Sequence, residues 1–378
     1  MKYFFGLNLI FYLIFFLSCN FKKENIENDC VFFKKEQIRF PADSTINPYA
    51  INIQFFKNNG VSLLFIMDGN NQLLKYDFKQ QKLLSKIKLE KEGNNGVGAV
   101  SGFTVISLDS ILITSIFEQR IFLVDSLGSV IDKYLFNSDS LYTSPTMSNL
   151  WHQVTLEGNE LVIPQLFVGN LNHIVKEVYD IYTTTINLDI VTGKIQRTGM
   201  KSPFRYPNLK TPYFSSARFN ENFVYSFFAL DSIFVVDKNG KMFAFFAKSE
   251  NVKELVETQP EGSKSIKNTI KNNVLSSNYY SLIADSINNV IYRFYKIGLD
   301  KLPKDKNLMD LRNYPPMFGV QVINNKFSVI ADIIFPTQTY FFYNSFVAEN
   351  GLYISINHPE NPDFDVDYFT FDCFVFQK

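Results

Sequence analysis

The sequence predicts an all-β fold: a six-bladed β-propeller of four-stranded blades, closed by an N-terminal strand in the last blade. Three observations lead there. First, of 378 residues 46% are hydrophobic, with 40 Phe and 20 Tyr but one Trp, and large flat side chains suit a pleated, half-buried surface. Second, alternating segments closed by Asp or Asn recur at a 48-residue interval, from Asp77 to Asp125, Asp189 to Asp237 and Asn324 to Asp372. Third, such segments are preceded by two further apolar runs and, except for the last, followed by a turn and another strand, which makes four strands per unit. A pair of β-sandwiches is the competing architecture, which the even interval disfavours.

Residues 1–18 hold one lysine and an apolar stretch from Tyr3 to Leu17, the form of a secretory signal peptide. The stretch is shorter than the roughly 20 residues that span a bilayer. Leu17-Ser18-Cys19 resembles the lipobox of bacterial lipoproteins, which implies cleavage before Cys19 and diacylglycerol on its sulfur. An unmodified cysteine beside an ordinary cleavage site is the competing reading. Residues 19–30, polar from Asn20 to Asp29, read as a lipidated tether, and residues 31–378 as the propeller. Several acyl chains would hold the protein on a membrane surface without spanning it.

Val31 to Phe40 is a strand with no partner in the first unit. The chain ends six residues after Asp372, too soon for a return strand, so Val31 to Phe40 is expected to complete blade six and remove the open edge. Blade one follows as Ala50 to Phe56, Leu63 to Met67, Leu74 to Asp77 and Lys82 to Leu89. Blade two has Gly102 to Ser107, Ile111 to Ser115 and Phe122 to Asp125. Blade three has Leu161 to Ile163 and Ile186 to Asp189, and blade four Phe223 to Phe228, Phe234 to Asp237 and Lys241 to Ala247. The fifth unit closes at Val322 to Asn324, and the sixth has Leu352 to Ile356 and Phe369 to Asp372. Each Asp can bond its own downstream backbone, and Gly128, Gly193 and Gly240 supply positive φ for the turn.

The segment Gly93 to Gly98, followed by Gly102-Phe103-Thr104-Val105, looks like the start of a blade in NHL-like propellers. With the lipobox, nearly the whole mature chain resembles the six-bladed β-propeller lipoproteins of unknown function from Bacteroidota. The resemblance implies a bacterial cell-envelope protein, lipid-anchored to the outer membrane on its periplasmic or exterior side. It transfers no catalytic residue.

Chemistry is sparse. With 37 basic against 37 acidic residues and no basic run, nucleic acid is not an expected partner. His152, His173 and His358 lack ligand spacing, so no metal centre is framed. No cofactor is expected either: Gly93 to Gly98 lacks the P-loop lysine and precedes a strand, not a helix. Asp363, Asp365 and Asp367 would share one side of an extended strand, a start for Ca²⁺, but a solvated acidic loop is the favoured reading. Cys30 and Cys373 are the two thiols left once Cys19 is lipidated. Were Phe40 to lie opposite Asp363, they would face each other and bridge; a buried Cys373 thiol with Cys30 free is the alternative.

The long segments are Asn137 to Leu150, Phe167 to Asp180, Gly199 to Phe214, Lys248 to Ser277, Lys296 to Phe318 and Asn357 to Asp367. All fall in connections expected on one face, opposite the Asp turns. Within them Tyr142, Trp151, His152, Arg205, Tyr206 and Tyr213 are candidate ligand-binding residues, with His173 and Tyr314 of the same kind. The competing reading for each is packing its own loop to the blade. The expected function is a membrane-anchored, monomeric binding or scaffolding module for a peptide, glycan or protein. The alternative is an envelope hydrolase or lyase with carboxylate, Arg and Tyr groups at the central channel.

Overall fold

The computed structural model describes residues 31–377, apart from 116–117, 119, 136–142, 146–147, 149–150, 168–181, 204–212 and 257–264. Its strands form six antiparallel sheets. Blade one is β2 (Ala50–Asn58), β3 (Val61–Asp68), β4 (Gln72–Asp77) and β5 (Lys82–Lys88), from the inside outwards. Blade two is β6 (Gly102–Ser107), β7 (Ser110–Ser115), β8 (Arg120–Val124) and β9 (Val130–Leu135). In blade three the innermost strand is broken into β10 (Thr143–Pro145) and β11 (Thr155–Glu157), both paired with β12 (Glu160–Phe167), ahead of β13 (Thr183–Asp189) and β14 (Ile195–Lys201). Blade four is β15 (Phe214–Phe219), β16 (Asn222–Phe227), β17 (Ser232–Val236) and β18 (Met242–Phe246). Blade five is β19 (Asn278–Asp285), β20 (Val290–Lys296), β21 (Phe318–Asn324) and β22 (Val329–Ile334). Blade six is β23 (Phe341–Ala348), β24 (Gly351–Ser355), β25 (Tyr368–Gln377) and the N-terminal β1 (Val31–Pro41).

The strands read as unbroken apolar runs because each blade is buried on both sides. On β3, Leu63, Phe65 and Met67 pack toward Phe103, Ile113 and Phe122 of blade two, while Leu64 and Ile66 pack toward Phe346 and Tyr353 of blade six. Alternate residues therefore serve opposite neighbours. The heaviest aromatic cluster lies between blades five and six, around Phe318, Phe335, Phe342 and Phe374.

The predicted closure by the N-terminal strand is present, but its register differs from the one expected. Glu36 lies opposite Cys373 and Phe40 opposite Phe369, and Val31 faces Gln377 across a bulge between Lys34 and Glu36. That removes the basis for a Cys30–Cys373 bridge. Val31 sits four residues along the strand from Cys373, roughly 13 Å, and Cys373 is a free, fully buried thiol. Burial between blades six and one pushes it up to about 11, with Tyr353 beside it. Cys30, like Cys19, lies outside the described residues. Two features set the observed register: Ile38 and Phe40 enter the apolar layer between blades six and one, and Asp372 pairs with Lys34 at 2.8 Å.

Asp372 is thus not a turn residue. It is buried in mid-strand, accepting from Gln37 Nε2 at 2.9 Å and Tyr340 Oη at 2.8 Å. The other five repeat residues do make turns. Oδ1 of Asp125 accepts the Leu127 and Ser129 amides, that of Asp189 the Val191 and Thr192 amides, and that of Asp237 the Asn239 and Lys241 amides. Asn324 does the same with Lys326 and Ser328, and Asp77 accepts from Gln80. Where three blades have glycine, blade five holds Phe327 at φ 62°, its ring against Phe245 of blade four at 4.9 Å.

The Asp/Asn turns and the inner hairpins form one face, with two to five residues in each connection. The opposite, insertion face carries the connections between second and third strands and between blades. It includes α1 (Ile266–Leu275) and α2 (Leu308–Asn313). The acidic segment with Asp363, Asp365 and Asp367 is a loop of turns on this face, as the favoured reading expects, and not the extended strand from which a Ca²⁺ site would start; Arg39 pairs with Asp365 and the Asp367 amide donates to it.

Candidate functional site

The insertion face is organised around the break in the inner strand of blade three. The Ser148 carbonyl accepts from the Phe103 amide at 3.0 Å and from Asn52 Nδ2, and its hydroxyl bonds Thr104. Blades one and two are thereby tied to blade three. Three residues on, the Trp151 carbonyl accepts from the Ser216 amide and the Ser215 hydroxyl, each at 2.9 Å. The indole lies 5.7 Å from Phe228, 5.9 Å from Tyr280 and 6.1 Å from Tyr343, in blades four, five and six. This short segment therefore touches all five other blades, with Trp151 half-buried among them. The inner strands carry the neutral polar residues Asn52, Gln54, Thr104, Ser215, Asn278 and Asn344. Among the described residues, the charged side chains of the inner strands, Lys57, Glu157, Arg218 and Asp285, sit at the turn-face end.

The candidate residues divide. Trp151 and His152 come together at this hub. His152 is 1% exposed and packs edge-on against Phe214 at 4.7 Å, and burial alone drives its imidazole down to about 3, so it is neutral. Tyr213 is 40% exposed, beside Phe228 at 6.0 Å. Tyr142, Arg205, Tyr206 and His173 lie outside the described residues.

Two buried cations on β20 were missed. Arg293, fully buried, donates from Nε to Ser226 Oγ at 2.8 Å, from Nη1 to the carbonyls of Ala247 at 2.8 Å and Asp231 at 3.0 Å, and from Nη2 to that of Leu230 at 2.7 Å. Its guanidinium lies 3.3 Å from the centre of the Tyr279 ring. Burial lowers it to about 10, which leaves it charged at neutral pH. Lys296, 2% exposed, donates to the Asn273 carbonyl in the last turn of α1, which has no basic residue of its own; burial lowers the amine to about 7. The signal was in Val290 to Lys296: an arginine and a lysine inside an otherwise apolar strand read as buried, partnered charges.

Two cavities open on this face. One, of about 490 Å³, lies between blade four and the α1 insertion and is walled by Asp231, Lys248, Lys253 and Glu254. The other, of about 290 Å³, lies where the α2 insertion, the 356–367 loop and Tyr49 meet, and includes His358 and Tyr314. Among the described residues no group of three His, Cys, Asp or Glu side chains is placed to hold a metal ion.

Residues 29–309 match the family described as a domain of unknown function, DUF4221, and the chain belongs to that family. The structure of a DUF4221 member from Bacteroides vulgatus is similar over 93% of this chain and 99% of that one, at 24% identity and a TM-score of 0.81, which is a likeness of fold. Virginiamycin B lyase from Staphylococcus aureus is similar over 92% of this chain and 100% of its own, at 10% identity and a TM-score of 0.43, too remote to bear on function. No curated protein matches the chain.

Proposed function

We propose that this chain is a cell-envelope lipoprotein, anchored to the outer membrane through lipid on Cys19, whose propeller binds a peptide, glycan or partner protein on its insertion face. The observation that carries the reading is one-sidedness. Among the described residues, the insertion face holds the long connections, the helices α1 and α2 and the two cavities described above, whereas the opposite face is closed by short, nearly identical turns. Recognition gathers where a rigid scaffold presents varied loops. On the described inner strands the charged side chains lie only at the turn-face end, which favours binding on the insertion face over hydrolysis or lyase chemistry there.

Site-specific photocrosslinking in the native host tests the reading. A photoreactive residue at Tyr49 or Tyr213, 47% and 40% exposed on the insertion face, is expected to capture a discrete species. At Leu127 or Val191, 82% and 73% exposed on the turn face, it is expected to capture none. The reverse pattern would overturn the assignment.

A further inference from the structure

The strand that closes blade six fixes which face of the propeller meets the membrane, an orientation that rests on the lipid proposed on Cys19. In blades one to five a turn on the Asp/Asn face joins the third strand to the fourth. Blade six has no such turn: its third strand, β25, ends there at Gln377, and its fourth, β1, begins opposite at Val31. The chain from Cys19 therefore enters the propeller on the turn face, at the rim of blade six. Cys19 precedes Val31 by twelve residues, which span at most about 40 Å however they are arranged. From Val31 the eleven residues of β1 run to the insertion-face end, roughly 33 Å away. A tether doubling back that far would be nearly used up, so the lipid reaches a bilayer freely only when the turn face is toward it.

The same face presents apolar side chains in a recurring position. Leu127, Val191 and Ile287 are 82%, 73% and 62% exposed. Each stands two residues after an aspartate whose Oδ1 accepts its amide, at 2.9 Å for Asp125, 2.9 Å for Asp189 and 3.1 Å for Asp285. That bond fixes the backbone of the turn and leaves the side chain at its tip. The tips belong to blades two, three and five and the tether to blade six, so points of contact are spread around the face. Scattered exposed aliphatic residues are ordinary on a protein surface. Beside a lipid anchor they acquire a use, because the tether keeps a bilayer within reach and even weak burial at the boundary of headgroups and acyl chains then suffices to hold the face down. The insertion face exposes Ile266 by 83% as well, but both described chain ends, Val31 and Gln377, lie on the turn face.

We propose that the turn face lies on the lipid surface, with Leu127, Val191 and Ile287 in the headgroup boundary and the insertion face turned away toward its partner. A bilayer offers many lipids and no single partner, in keeping with the absence of a discrete crosslinked species expected at Leu127 and Val191. Fluorescence quenching on the full protein, purified from its host membrane and reconstituted in phosphatidylcholine vesicles, tests the orientation. A Cys30→Ser background leaves Cys373 as a fully buried thiol, and one of Leu127→Cys, Val191→Cys, Ile287→Cys or Ile266→Cys then carries the fluorophore. A quencher on the lipid acyl chains is expected to lower emission at each turn tip about twofold and to leave Ile266 unchanged, whereas iodide in the water should do the reverse. Leu127→Asp together with Val191→Asp, both at exposed positions that leave the core intact, should remove most of the lipid quenching at Ile287. Mass spectrometry of the same preparation reads the lipid on Cys19. If Cys19 carries none, the anchored reading and the orientation fail together. With the lipid present, quenching at Ile266 in place of the tips, at all four positions or at none, or quenching at Ile287 indifferent to the two aspartates, overturns the docked turn face alone.

Discussion

The two faces of the propeller are made by different physics. On the turn face, five blades repeat one device, an Asp or Asn accepting from amides two to four residues downstream. Each turn is complete within about six residues and needs nothing from its neighbours. On the insertion face, contacts that cross blades are added to the local ones: Ser148 bonds blades one and two, Trp151 bonds blade four and packs on rings of blades four, five and six, and Arg293 reaches from blade five to four. A face built from local bonds can be repeated cheaply and stays uniform. One built from long-range bonds can differ at every position, which recognition requires.

The contrast can be broken experimentally. The largest effect is expected from Arg293→Met, which fills the space but strands the Leu230, Asp231 and Ala247 carbonyls; a loss of about 3–5 kcal/mol in urea unfolding is expected. A loss under 1 kcal/mol would mean that the cross-blade contacts do not hold this face.

Next comes acid sensitivity. The folded pKa of His152, about 3, lies below the ordinary value of 6.5, so the unfolded chain takes up the proton first. Stability is full above about pH 6.5 and falls as pH drops toward 3, by about 3 kcal/mol at pH 4 from this residue. His358, shifted in the same direction, adds to it. In His152→Gln the difference between unfolding at pH 7 and pH 4 should shrink by about that amount; an unchanged difference would show that His152 is protonated in the folded protein.

The smallest effect is expected on the turn face. Asn324→Ala removes one acceptor of two amides and should cost about 1 kcal/mol, with amide exchange accelerated only around Lys326 to Ser328. Asn324→Asp should be nearly neutral, because aspartate plays this part in the other turns. Accelerated exchange spreading into blade four would show that Phe327, packed on Phe245, couples the turn to its neighbour and that the turn face is less local than drawn.

Sequence alone determined the number of blades, the positions of most strands, the closure by Val31 to Phe40 and the face on which the insertions lie. All follow from signals carried within a few residues: apolar alternation, and an Asp or Asn whose side chain reaches only its own turn. Asp372 misled because an identical local pattern can end a strand or be buried in one, and only Lys34, Gln37 and Tyr340, distant in sequence, decide which. The β1 register was decided the same way. Period-two alternation allows every even shift, and the choice fell to Ile38 and Phe40 meeting the layer against blade one. Trp151 and His152 could be picked out as aromatic loop residues, but whether they face solvent or the axis depends on five other blades. His358, set aside as one of three scattered histidines, is 2% exposed in the fold, its Nδ1 accepting from the Glu360 amide and its ring against Tyr314. Tertiary structure alone decides such roles, because burial and the choice of partner belong to what surrounds a residue.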